Sequence, residues 1–219
     1  MPLPLHFHMR LQFARIRSKI EKNISGAGMI KDRINGVEIV LKNTEGLFSP
    51  LHIDRGTRAM LECVPLREKE KVLDLGCGSG TVGIYASKIL GSENVVMCDI
   101  DENAVIASKE NAAENGVSPK IVVSNGFFGL EDTGFTVIFS NPPYQSDFAV
   151  AKHFIEKGFN RLLLGGRMVM VTKRRAWYEN KLKSIFGGCK VFEKDGYFVF
   201  LAEKRSMQYA GRKEKKTKI

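Results

Sequence analysis

KVLDLGCGSGTVG, residues 71–83, is the stretch on which the fold turns. Val72 to Leu75 is a short apolar run interrupted by one carboxylate, Asp74. Glycines follow at 76, 78 and 80, and after Thr81 the apolar side chains take helical spacing through Val82, Tyr85, Ala86 and Ile89. This spacing predicts a strand that ends in a glycine turn and opens a helix. Gly76, Gly78 and Gly80 permit unusual dihedrals and close approach, and the unpaired N–H groups of a first helical turn face such a loop. A pocket of the Rossmann kind for a small, sugar-bearing cofactor is the expectation.

Outward from this point, strands and helices alternate. Strands are expected at 94–98, 120–123, 135–139 and 167–172, and helices at 102–115, 148–163 and 177–186. Gly165–Gly166 is expected to turn the chain into the strand at 167. Strands at 190–193 and 197–202 are joined by Lys194-Asp195-Gly196, which contains the Asp–Gly hairpin signal. The fold class is therefore α/β, a Rossmann-like seven-stranded mostly parallel sheet with helices on both faces and a C-terminal antiparallel hairpin. Ahead of the core, residues 9–23 read as a short basic helix ended by Gly26 and Gly28. Residues 37–41 read as an edge strand, and 57–64 as a helix stopped by Pro65.

The 219 residues, 43% hydrophobic, suffice for one substantial core, placed at 36–203. The charge is uneven: the net +10 divides into +5 over residues 1–35 and +5 over 203–219, leaving 36–202 neutral. A basic N-terminal extension (1–35) and a basic C-terminal tail (204–219) around a neutral body favour a polyanionic partner such as nucleic acid, although a tail can also serve solubility alone. Cys63, Cys77, Cys98 and Cys189 form no CxxC pair. Buried thiols in a reducing, cytoplasmic compartment explain them better than disulfides or zinc, and no metal site is expected. No apolar run or signal-peptide pattern predicts a membrane partner.

The glycine spacing does not decide the cofactor. Gly78 to Gly83 satisfies the dinucleotide pattern GxGxxG, and Asp99 lies about 20 residues on, where an acid binds a ribose diol. Asp74 argues against a nicotinamide cofactor, because a carboxylate at the strand end suits a cation better than a pyrophosphate. Asn141-Pro142-Pro143-Tyr144, at the end of the fourth central strand, has no evident role in hydride transfer.

Together these motifs resemble those of class I S-adenosylmethionine-dependent methyltransferases. VLDLGCGSG (72–80) is similar to their first motif, CDID (98–101) to the acidic second, and NPPY (141–144) to the signature of amino-group methylation. A narrower resemblance is to the ribosomal small-subunit guanine-N2 methyltransferase family, in a single-domain form. It is carried by Gly46-Leu47-Phe48-Ser49, by Asp54, Gly56 and Thr57 ahead of the first motif, and by Asp195-Gly196-Tyr197. Longer bacterial members carry a degenerate second copy of the domain ahead of the catalytic one, where this chain has about 35 basic residues.

The resemblance implies S-adenosylmethionine as cofactor, held by Asp74, Gly76, Gly78, Gly80, Asp99 and Ile100. Asn125, Gly126 and Phe127 are placed at its adenine end, or in simple turn and core roles. Phe48, Asp54 and Thr57 are candidates for a lid over the cofactor, with core packing the other reading. It implies direct methyl transfer in which the Asn141 side-chain oxygen and the Pro142 carbonyl accept hydrogen bonds from an exocyclic amine while Tyr144 stacks on the base. RNA, as ribosomal RNA or a ribosomal subunit, is the expected partner, with Lys173, Arg174 and Arg175 on the same sheet edge for phosphate. Adenine N6 in RNA or DNA, a glutamine amide of a release factor, and a non-enzymatic RNA-binding role are the alternatives. Monomer and dimer both stay open.

Overall fold

A computed structural model describes residues 28–42, 52–143 and 148–211. The main sheet has seven strands: β3 (Val72–Leu75), β4 (Val95–Asp99), β5 (Lys120–Val123), β6 (Phe135–Ser140), β7 (Leu162–Thr172), β8 (Lys190–Lys194) and β9 (Tyr197–Glu203). They lie in the order β5-β4-β3-β6-β7-β9-β8. β5 through β7 pair in parallel, while β9 joins β7, and β8 joins β9, antiparallel. Helices α1 (Arg55–Cys63), α2 (Thr81–Leu90), α3 (Glu102–Glu114), α4 (Phe148–Arg161) and α5 (Arg175–Phe186) cover the two faces.

Period-two alternation divides the core in two. Val72, Val137, Phe139, Val169 and Val171 pack on one face, with α1, α2 and α3. Leu73, Leu75, Ile138, Met168 and Met170 pack on the other, with α4 and α5. Chain direction sets the site. From β3 the strands run outward through β4 and β5, and the chain then returns to place β6 on the opposite side of β3. The strand order reverses between β3 and β6, so their carboxyl ends part and leave a crevice. At that point Ser140 Oγ donates to the Leu75 carbonyl at 2.9 Å and ties the two strand ends together.

Two expectations are corrected. Residues 37–41 are not an edge of the main sheet: β2 (Val37–Lys42) pairs antiparallel with β1 (Met29–Ile34) in a separate hairpin. Its Asn35–Gly36 turn has φ of 48° and 83°, the left-handed pair that a two-residue hairpin needs. Gly165–Gly166 is no turn into the strand, because β7 already starts at Leu162 and its register with β6 shifts between Phe135 and Val137, as at a bulge. The start of the C-terminal segment packs on the body. Lys204 is buried, its Nζ donates to the Leu162 carbonyl at 2.8 Å, and Tyr209 packs edge-on against Phe159. The Asp195–Gly196 turn forms as read, with φ of 51° and 78°. The basic helix at 9–23, Phe48, Tyr144 and residues 212–219 lie outside the described residues.

Candidate active site

The crevice at the switch point holds a cavity of about 460 Å³. Its floor is the loop 76–80. Gly76 N and Cys77 N both donate to the Cys98 carbonyl, at 2.9 and 3.0 Å, so the loop folds back over the end of β4. Gly80 has φ +87°, and a Cβ there would stand 2.9 Å from Met97 Cε and 3.0 Å from Ser108 Cβ. A side chain at this position is therefore excluded twice, by backbone conformation and by space.

Two carboxylates brace the floor. Asp74 faces α2, because alternation along β3 places it on the side of Val72. Its Oδ2 accepts from Gly83 N at 2.9 Å, satisfying a first-turn donor of α2. The side chain is 2% exposed. Burial pushes its carboxyl up to about 7 against the pull of the Gly83 N–H, and the nearby Asp99 charge adds to the rise. Asp99, at the end of β4, accepts from Gly78 N at 2.9 Å through Oδ2 and from Asp101 N at 3.1 Å through Oδ1. The cap of α3 is Asp101, whose Oδ1 accepts from Asn103 N at 2.9 Å.

The opposite wall comes from β6 and α1. Asn141 follows β6, and its Nδ2 donates to Asp54 Oδ1 at 2.7 Å and to Thr57 Oγ1 at 3.0 Å. Asp54 also caps α1, accepting from Thr57 N at 2.8 Å. Asp54 and Thr57 thus stand in the cavity wall at the start of a core-packed helix and engage Asn141. Pro142, Pro143, Ser124, Asn125 and Gly126 also line the space.

Phe127 does not line the cavity. It is buried and packs edge-on against Phe154 with ring centroids 6.5 Å apart. The apolar wall is supplied instead by Phe154 and Val150 of α4 and by Ile100, which is 63% exposed. Phe154 and Val150 were missed in the sequence, and their signal was an apolar pair at i, i+4 on the helix that follows the proline turn. His52 also went unremarked, as did Asn111, whose Nδ2 donates to Ser79 O at 2.9 Å while its Oδ1 accepts from Lys42 N at 2.8 Å. Asn111 thereby ties the glycine loop to the β1–β2 hairpin.

Electrostatics separates the two cofactor readings. Asp54, Asp74, Asp99 and Asp101 line the cavity, and among the described residues no lysine or arginine does. A pyrophosphate would meet four acidic side chains and, among the described residues, no lysine or arginine, whereas a cationic ligand finds compensation. Lys173, Arg174 and Arg175 are exposed and stand outside the cavity. Each lies over a ring: Lys173 on Tyr197 at 5.0 Å, Arg174 on Phe148 at 5.1 Å and Arg175 on Phe198 at 5.7 Å. Arg175 is also paired with Glu179 at 3.0 Å. Trp177 is half-buried against the core cluster and stacked on Phe148 with centroids 4.4 Å apart.

The profile of the methyltransferase small domain matches residues 38–202. The chain belongs to the methyltransferase small domain family. Ribosomal RNA large subunit methyltransferase G of Yersinia enterocolitica is 30% identical over 172 residues, covering 75% of this chain and 43% of that protein. Ribosomal RNA small subunit methyltransferase C of Cronobacter sakazakii is 30% identical over 165 residues, covering 74% and 48%. A solved structure of the T. thermophilus 16S rRNA N2 G1207 methyltransferase, in complex with AdoMet and guanosine, superposes with TM-score 0.74 at 27% identity. That superposition covers 81% of this chain and 50% of the other. The chain spans about half the length of these relatives.

Proposed function

We propose that this protein transfers a methyl group from S-adenosylmethionine to an exocyclic amine of a base in ribosomal RNA, guanine N2 being the amine. The observation that carries this reading is the placement of Asn141. Its amide stands at the strand end next to β3, with its NH2 engaged by Asp54 and Thr57, in one cavity with the glycine loop and Asp99. Support comes also from the four cavity aspartates and from relatives named as ribosomal RNA methyltransferases.

The residues fit the cofactor. Asp99 is placed for a ribose diol, Ile100, Val150 and Phe154 offer apolar surface for a purine, and buried Asp74 favours positive charge above the loop. Asn125 and Gly126 would edge the adenine. When bound, S-adenosylmethionine supplies a sulfonium methyl, which the amine nitrogen takes up as the carbon–sulfur electron pair returns to sulfur and one N–H proton leaves to solvent. The chain's part is positioning. An exocyclic amine is a weak nucleophile because its lone pair is delocalised into the ring. Asn141 Oδ1 and the Pro142 carbonyl accept from its two N–H groups and aim the lone pair. Pro142 and Pro143 bring no N–H of their own to compete at the same spot. Tyr144 stacks on the base, which must be single-stranded or flipped out. Lys173, Arg174 and Arg175 take the neighbouring phosphates, and basic residues of the two ends, in 1–35 and 205–219, add contacts that do not depend on sequence. The setting is cytoplasmic.

Labelled cofactor incubated with undermethylated small and large ribosomal subunits, their free RNAs, tRNA and release factor tests this directly. Nucleoside digestion should return N2-methylguanosine from ribosomal RNA. Label on release factor or on adenine N6 would overturn the assignment.

A further inference from the structure

Asn141 is gripped at one end by residues 84 and 87 positions away in the chain. Its Nδ2 has two protons and meets two acceptors, Asp54 Oδ1 at 2.7 Å and Thr57 Oγ1 at 3.0 Å. Asp54 is itself fixed as the cap of α1 by Thr57 N at 2.8 Å, and α1 is anchored by buried Ala59, Met60 and Leu61. The amide orientation is therefore braced from a core helix far from it in the chain.

We propose that Asp54 and Thr57 are positioning residues for methyl transfer, acting through Asn141. The inference rests on the amine-methylation reading above. The two acceptors exclude the flipped amide, which would turn N–H donors toward a substrate amine. Asp54 does more than orient. An anion at the N–H end of an amide favours the resonance form that moves negative charge onto the oxygen. Oδ1 then becomes a stronger acceptor for an amine whose nitrogen gains positive charge as the methyl arrives. Such an interaction tightens in the transition state, so its loss should fall on kcat and spare KM.

A cap-only role for Asp54 makes a different prediction, and four variants separate the two. Thr57→Val keeps the shape and the backbone N–H but removes the acceptor. Thr57→Ser restores a hydroxyl. Asp54→Asn retains an oxygen for both partners but carries no charge. Asp54→Ser keeps a helix cap on a side chain too short to reach Asn141. Each is measured for single-turnover methylation, RNA KM, S-adenosylhomocysteine affinity by calorimetry, Tm, and the Asn141 side-chain amide resonances in the cofactor-free protein. Those resonances are assigned by their loss in Asn141→Asp.

We expect about a tenfold loss of kcat for Thr57→Val and recovery in Thr57→Ser. We expect tenfold or more, roughly, for Asp54→Asn and Asp54→Ser alike. RNA KM and S-adenosylhomocysteine affinity should stay within about twofold in all four, on the same uniform-binding logic. The Asn141 amide protons should move upfield and exchange faster in Thr57→Val and Asp54→Asn. Wild-type rates in folded Thr57→Val, or loss of rate only in variants that lose Tm, would overturn the inference alone. A wild-type protein that methylates no amine substrate, with the amide resonances as expected, would overturn the underlying reading and with it this use of the contact.

Discussion

Beneath the glycine loop, the cavity is held by backbone groups between neighbouring strand ends: Gly76 N and Cys77 N on the Cys98 carbonyl, Gly83 N on Asp74, Gly78 N on Asp99. Across the cavity, Asn141 is held by two side chains, Asp54 and Thr57, at the start of a helix that lies before β3 in the chain. The first construction binds and the second aims. A side-chain change in the floor should act on what the cavity binds, whereas a wall of side-chain bonds can lose its aim with one substitution and leave the floor intact. Binding and turnover should therefore be separable in this molecule.

The largest separation is expected at Asn141. Asn141→Ala should lower turnover by about 10²–10³-fold, the range for a preorganised polar group aimed at transition-state charge, with cofactor affinity nearly unchanged. Single-turnover kinetics and calorimetry on one preparation check both halves. On the floor, Asp99→Ala should weaken cofactor binding by roughly tenfold to a hundredfold, since it deletes a charged acceptor. Its kcat at saturating cofactor should fall far less, and a matching fall in kcat would blur the contrast between floor and wall.

Asp74 sharpens the comparison through pH. Its folded-state value of about 7 lies above the ordinary 3.8, so the folded protein holds a proton that the unfolded chain has released. Stability of the cofactor-free protein should fall as pH rises from about 4 to about 7, and the loss should persist above that. Asp74→Asn keeps an acceptor for Gly83 N and should flatten this slope, gaining Tm over wild type at pH 8 but not at pH 4. Thermal melts across the series provide the check. The smallest effects belong to the surface. Neutralising Lys173 and Arg174 should weaken RNA binding and flatten its salt dependence by about 0.7 per lost phosphate contact. Truncation after Gly211 should do the same with kcat unchanged.

Much of this floor was legible in the sequence because local chain chemistry makes it. Gly76, Gly78 and Gly80 are read from spacing, and Asp99 and Asp101 from their position after an apolar run. The parallel sheet followed from alternation, and its terminal hairpin from Asp195–Gly196. The equivalent Asn35–Gly36 signal was passed over, and with it β1. The wall was harder to read. Asp54 and Thr57 could be singled out, but nothing in their spacing shows that they meet Asn141, because that contact depends on how α1 docks against the sheet. Phe127 and Phe154 illustrate the same limit: both are aromatic and near the site, and only packing decides that Phe154 faces the cavity. Lys204 reads as tail charge, yet the folded chain buries it against Phe159 and the Leu162 carbonyl.

The central claim is that the Asn141 wall directs a methyl group onto an exocyclic amine of RNA. It is tested most directly by mass spectrometry of nucleosides from undermethylated ribosomal RNA incubated with S-adenosylmethionine and either wild type or Asn141→Ala. The account predicts N2-methylguanosine with wild type and almost none with the variant, whose cofactor affinity is retained. Equal product from both proteins, or a methyl group found on carbon or ribose oxygen, would contradict it.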